Sequence, residues 1–192
     1  MKNIKIGFKI LICLTLVIFF AFKTAADNRT VTEYIVFTKE NVRTEDMRKK
    51  SQLDEQKLTE YMKKFPSLSG IEQTLLELQE QYNINALLIL AIIRLESGNG
   101  KSNIAQTRNN LGGFIGWERS VRVFKSFDSR EECLIYMANL LSEHYLTDGG
   151  RFYSGYTLSA ISKRYSEEPE NWTDLVAPLI LEIQAGIENI KI

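Results

Sequence analysis

Histidine and cysteine are scarce in this chain, and their scarcity excludes most metal and thiol chemistry. His144 is the one imidazole, and Cys13 and Cys133 are the two thiols. A zinc site draws several ligands from His, Cys, Asp and Glu, and this supply is too thin to favour one. A Cys–His nucleophile needs its two partners in contact. Cys133 and His144 stand eleven positions apart in what reads as one helix, about 16 Å of rise, which rules out that pair. Cys133 keeps company with Tyr136, Met137 and Leu140 at helical spacing, so it reads as a buried structural thiol. It has no partner for an internal disulfide, because Cys13 lies in the N-terminal segment.

An excess of charge is missing too. The chain carries 24 basic and 24 acidic side chains. Its first 26 residues hold four lysines (Lys2, Lys5, Lys9, Lys23) and no acid. The remainder is thus 20 basic against 24 acidic, a net −4 with His neutral. Neither a basic surplus nor a nucleic-acid motif points to RNA or DNA as a partner. Hydrophobic content is 44% of 192 residues, enough for one compact domain with flanking segments.

The longest apolar run, Ile10 to Phe22, follows Lys2, Lys5 and Lys9 and precedes Thr24-Ala25-Ala26. This predicts a secretory signal peptide over 1–26, or an uncleaved membrane anchor. The run is shorter than the roughly 20 apolar residues of a typical span. Residues 27–66 read as a leader. It opens on an alternating stretch, Thr30 to Thr38, that is either a lone strand or an extended connection. A charged helix follows from Glu45 to Phe65 with a thin stripe of Leu53, Leu58, Tyr61 and Met62, closed by Pro66.

From residue 67 to 190 the pattern is that of a helical domain. Ser69 and Glu72 fit a capping box for a helix to Tyr82 with Ile71, Leu75 and Leu78 inward. A short helix is expected over 102–107. Another, capped by Asp128 or Ser129, runs to Leu146 with Leu134, Met137, Leu141 and Tyr145 inward. Helices over 157–165 and 172–188 complete the chain.

The stretch Asn85 to Gly116, NALLILAIIRLESGNGKSNIAQTRNNLGGFIG, carries the chemistry. From Ala86 to Leu95 every residue but Arg94 is apolar, which marks a core helix. Glu96 shares a face with Ile89, Ile92 and Ile93, so one carboxylate stands at the end of a buried surface. Gly98 and Gly100 permit the left-handed backbone that stops helices. Burial raises a carboxylate's pKa, and the negative end of the helix dipole acts the same way. An acid still protonated near neutral pH can donate to a leaving-group oxygen. Taken alone, Glu96 also reads as a solvated residue paired with Arg94 or Lys101. Among the aromatics nearby, Phe114, Trp117, Phe152, Tyr153 and Tyr156 either pack in the core or stack on sugar rings. Trp117 and Tyr153 lie in Gly-rich loops, which favours a substrate-facing position.

ESGNGKSNIA (Glu96 to Ala105) and NNLGGFIGW (Asn109 to Trp117) together resemble the bacterial endo-β-N-acetylglucosaminidases. These are the autolysin and flagellar peptidoglycan-hydrolase type, glycoside hydrolase family seventy-three. FKSFDSREECLIYMANLLSEHYL (Phe124 to Leu146) and ISKRYSEEPENWTDLVAPLI (Ile161 to Ile180) extend the resemblance in the same order. It implies a mainly α, lysozyme-like, two-lobed helical domain with little or no β-hairpin. The family's general acid falls on Glu96 and its cleft tyrosine on Tyr165. Its second carboxylate falls on Glu118, the only Glu in the short span from Trp117 to Asp128. Asn110, Gly113, Phe114, Trp117 and Tyr153 are the implied substrate contacts. Two departures stand out: Asn99 replaces the family's tryptophan, and LGGF replaces LFGI.

The implied activity is hydrolysis of the β-1,4 bond after N-acetylglucosamine in peptidoglycan glycan strands. No metal or cofactor is needed. Either a second carboxylate activates water, or the substrate's acetamido group acts as nucleophile. Two rivals stay open: a lytic transglycosylase or muramidase on the same fold, and a non-catalytic, membrane-tethered wall-binding protein. The expected setting is a monomer outside the membrane, secreted or anchored by its N-terminal segment, at the cell wall.

Overall fold

The computed structural model describes residues 34–192. The signal or anchor expected over 1–26, and the start of the leader, lie outside the described residues. Among those described, no helix is long and apolar enough to cross a membrane.

Two strands of two residues open the described chain. β1 (Tyr34–Ile35) pairs in parallel with β2 (Lys50–Ser51). α1 (Glu55–Met62) follows, then a single 3-10 turn (Pro66–Leu68). α2 (Glu72–Tyr82), α3 (Ala86–Glu96) and the short α4 (Asn103–Arg108) come next. β3 (Ile115–Glu118) and β4 (Val121–Phe124) form an antiparallel hairpin. α5 (Arg130–Leu140) widens into a π-turn (Leu141–Tyr145). α6 (Leu158–Tyr165) and α7 (Pro169–Glu188) close the fold.

α3 is the axis. Every residue from Ala86 to Arg94 is buried. Asn85 caps it, accepting from the Leu87 N–H at 2.9 Å. α7 packs along α3, α6 packs on α7, and α2 bridges to α5 and α1. Gly186 of α7 faces the Tyr61 ring so closely that any side chain there would collide with it. Ser102, Ser129 and Thr157 cap α4, α5 and α6, each accepting from the N–H three residues on. Such caps satisfy donors that the first helical turn leaves open.

Several local expectations change. The helix expected from Glu45 starts only at Glu55, because Asp54 accepts from the Lys57 N–H and caps it there. Residues 46–51 are instead pinned by tertiary bonds. The Met47 N–H donates to Tyr156 O, the Asn85 N–H donates to Met47 O, and Asn85 Nδ2 donates to Lys49 O at 2.7 Å. The segment read as a leader thus belongs, from Tyr34 onward, to the same compact unit. Phe37, Val42, Met47, Leu58, Tyr61 and Met62 are buried in the common core. Its hydrophobic residues are too widely spaced to show this by periodicity. Ser69 does not cap α2; Glu72 itself reaches back to accept from the Gly70 N–H at 2.8 Å. Residues Phe114 to Lys125 do hold a hairpin, with strands of four residues. Helices otherwise dominate, as expected.

Candidate active site

Glu96 is the last residue of α3, and the chain leaves it through a tight turn. Ser97 Oγ donates to Ile93 O at 2.5 Å and accepts from the Gly100 N–H at 2.6 Å. Gly98, Asn99 and Gly100 all have positive φ, at 59°, 58° and 78°. Gly100 is further constrained: a Cβ there would stand 2.5 Å from Ser67 O. The turn therefore needs glycine for space as well as for conformation.

Arg94 anchors this turn from beneath. It is 6% exposed. Its Nε donates to Asn99 Oδ1 at 2.8 Å, and its Nη1 donates to Tyr61 Oη at 2.9 Å and to Glu182 at 3.1 Å. The guanidinium also lies 4.1 Å from the Phe65 ring centroid. Arg94 is thus committed away from Glu96, which overturns the reading of the two as a pair. Asn99 turns inward to this arginine.

Glu96 is half-buried. Its pKa is raised above the ordinary carboxylate range by burial, and the indole of Trp172 pulls it partly back. The indole lies near the carboxyl, yet Trp172 Nε1 has no hydrogen bond of ordinary geometry. A pocket of about 310 Å³ opens over the acid, lined by Glu96, Gly112, Gly113, Phe114, Ile115, Leu140, Tyr145 and Tyr165. Tyr165 has its phenol pKa pushed up, first by burial and then by the Glu96 charge. Its ring centroid lies 4.8 Å from that of Trp172, the planes tilted by 36°, and 5.8 Å from that of Tyr145. A larger concavity, about 590 Å³, sits at the start of α7 among Glu168, Glu170, Asn171 and Asp174. Its acids are exposed, and it lies apart from the residues that line the Glu96 pocket.

The expected residues divide by position. Glu96, Tyr165, Gly113 and Phe114 converge on the pocket. Gly113, at φ 66°, would place a Cβ 3.8 Å from Glu96 Oε2. Asn110 is fully buried and does not line the Glu96 pocket. Its Nδ2 donates to Phe114 O and Lys125 O at 2.8 and 3.0 Å, and its Oδ1 accepts from the Phe114 N–H at 2.9 Å. It ties the two ends of the hairpin together. Tyr153 packs on Tyr156, ring centroids 5.2 Å apart, with Arg48 over the Tyr156 ring; it does not line the Glu96 pocket.

Trp117 is 71% exposed on β3. Alternation along the strand puts it on the same face as Ile115, and Ile115 lines the pocket. Glu118 is exposed and falls on the opposite face, so the hairpin as folded does not bring it to Glu96. Cys133 is the expected buried thiol, its Sγ accepting from the Leu111 N–H at 3.3 Å. Burial raises its pKa, and it fixes the NNLGG turn to α5.

Sequence reasoning missed Tyr145 and Trp172. Tyr145 looked like ordinary core. The π-turn redirects it: the Leu146 N–H reaches back five residues to Leu141 O at 2.9 Å, and such bulges gather at functional sites. Trp172 carried no local signal except its position seven residues after Tyr165.

A family model named Glucosaminidase, described as mannosyl-glycoprotein endo-beta-N-acetylglucosaminidase, matches residues 72–184. The chain belongs to the glucosaminidase family. A protein of Streptococcus pneumoniae named "Putative endo-beta-N-acetylglucosaminidase" is 32% identical over 111 residues, covering 57% of this chain and 17% of its own length. This chain therefore spans about a sixth of that relative. Among solved structures, S. aureus autolysin E superposes with a TM-score of 0.62 at 18% identity, covering 80% of this chain and 75% of that one. A catalytic mutant of autolysin E in complex with the disaccharide NAG-NAM gives 0.59 at 16% identity, covering 80% and 76%. At such identities the likeness establishes the lysozyme-like fold of this glucosaminidase-family chain.

Proposed function

We propose that this glucosaminidase-family protein hydrolyses the β-1,4 bond after N-acetylglucosamine in peptidoglycan glycan strands. The observation that carries the reading is Glu96: one carboxyl, desolvated at the end of a buried helix, facing a saccharide-sized pocket. Glu96 protonates the glycosidic oxygen as the bond breaks. Family membership and the disaccharide held by an autolysin of the same fold support the substrate class.

Glu96 is the sole carboxylate among the residues lining the pocket. The positive charge developing at the sugar's C1 is therefore met by the substrate's own acetamido oxygen, in a substrate-assisted route. Tyr165 orients that group. Trp117 and Ile115 offer an exposed edge on which the strand lies beyond the cleaved bond, since aromatic faces suit sugar rings by area and shape. The lysine-led apolar segment over 1–26 suits export, which would place the enzyme where its polymer is, free or membrane-anchored.

Digestion of purified peptidoglycan, followed by mass analysis of the fragments, tests this. The expected products carry reducing N-acetylglucosamine ends, and Glu96→Gln yields none. Fragments ending in 1,6-anhydro-N-acetylmuramic acid would make the protein a transglycosylase. Binding to walls without any fragments would make it a wall-binding protein.

A further inference from the structure

One buried side-chain polar atom stands without a hydrogen-bond partner among the described residues: Trp172 Nε1. A buried donor left unpaired keeps the whole cost of its lost hydration. Native proteins rarely retain one without a reason. A phenylalanine there would bring an aromatic ring without an unpaired donor.

The surroundings supply the reason. Trp172 lies in the first turn of α7 and is 6% exposed. Its ring packs tilted against Tyr165, which lines the Glu96 pocket. Packing of α7 along α3 brings the indole beside the Glu96 carboxyl. The other titratable groups facing Glu96 are Tyr165 from α6 and Tyr145 from the π-turn, with Cys133 of α5 behind Tyr165. Tyr145 turns its hydroxyl toward Arg164 O, at 3.4 Å. No cation joins this set; Arg94 is engaged with Tyr61, Asn99 and Glu182.

We propose that Trp172 is a positioning residue for the acid step, its indole N–H held open for the carboxylate that Glu96 becomes on giving up its proton. This rests on the hydrolytic reading above. In the step, the Glu96 proton passes to the glycosidic oxygen and the electron pair of the breaking C1–O bond stays with that oxygen. Glu96 is left as a carboxylate. A charged oxygen accepts a hydrogen bond more strongly than a neutral one. The indole therefore stabilises the ionised side of the step more than the resting acid, and only such differential stabilisation speeds chemistry.

Residue type matters here. An indole N–H is a donor only, so it never competes for the proton. It carries no charge, so burial remains the larger influence on the Glu96 carboxyl. An arginine or lysine in its place would ionise Glu96 before substrate arrived.

The chain has two tryptophans, and Trp117 is exposed, so nitrogen-15 labelling of the indoles in the full chain gives two resolvable signals. Trp172→Phe assigns them. The Trp172 indole proton is expected to shift downfield as pH rises, with a midpoint above the ordinary carboxylate range, and to stay flat in Glu96→Gln. In Trp172→Phe, the plateau hydrolysis rate should fall about tenfold and the alkaline limb of the pH profile should move to higher pH. A merely structural role would lower the active fraction without moving that limb.

A Trp172 signal that ignores pH, or that titrates unchanged in Glu96→Gln, overturns the proposal. So does an unmoved limb in Trp172→Phe. The titration needs no turnover, so it separates failure of this pairing from failure of the hydrolytic reading.

Discussion

The floor of the pocket and the hairpin beside it are built by opposite rules. The floor is locked. Glu96, Tyr165 and Trp172 hang from α3, α6 and α7, and Arg94 pins the turn beyond Glu96 through three side chains. The hairpin is open. Ile115, Trp117, Val121 and Phe124 are 43–71% exposed. Its two turn residues, Arg119 and Ser120, both have positive φ, at 46° and 67°, a conformation that ordinarily selects Asn-Gly. Under the proposed function, the contrast is a division of labour. Proton transfer demands fixed geometry and a dry carboxyl. Gripping a polymer demands surface that adjusts.

The first way to break this comparison is at the acid. Glu96→Gln should lower wall-hydrolysis rates by about 10²–10⁴-fold, the range for a general acid, as read by zymography. Glu118→Gln should lose less than about threefold, since its side chain lies on the other hairpin face. Equal losses in the two variants would return a second carboxylate to the hairpin.

Stability sharpens the floor. Arg94→Met leaves Tyr61 Oη and Asn99 Oδ1 without their donor. Breaking a fully buried pair costs about 3–5 kcal/mol. Glu182 is 56% exposed, so a smaller loss of about 2–3 kcal/mol is expected, measured by urea denaturation.

The raised pKa of Glu96 also has a sign. A carboxyl whose folded pKa lies above its unfolded one favours folding while protonated, and that stability is lost as pH rises from the ordinary value through the raised one. Glu96→Gln should therefore melt higher than the parent at neutral pH, with the advantage vanishing in acid. In the proposed mechanism hydrolysis runs on the protonated form, so its rate should fall through the same window.

On the hairpin, effects should be milder. Trp117→Ala is expected to raise KM about 3–10-fold with little change in kcat, from a stacking contribution of about 0.5–1.5 kcal/mol. Ser120→Gly relieves a left-handed residue and should stabilise by about 1 kcal/mol, visible as a small rise in Tm.

Legibility in the sequence follows the same divide. The unbroken apolar stretch of α3, the two glycines after Glu96 and the serine caps are local signals, so the place of Glu96 at a helix end and most helix positions could be read. The contribution of 34–54 to the core could not, because that segment is held by single bonds to distant residues such as Asn85 and Tyr156. The hairpin gave little warning, because Arg119-Ser120 lacks a turn signature. Asn110 looked like a substrate contact because sequence shows an amide but not which way it turns. Trp172 was hidden for the same reason.

Carbon-13 titration of the Glu96 side-chain carboxyl in the full chain most directly tests whether the fold holds this acid protonated for catalysis. The expected midpoint is clearly above the ordinary value of about 4.3, coinciding with the alkaline limb of hydrolysis. A midpoint at or below that value would contradict it.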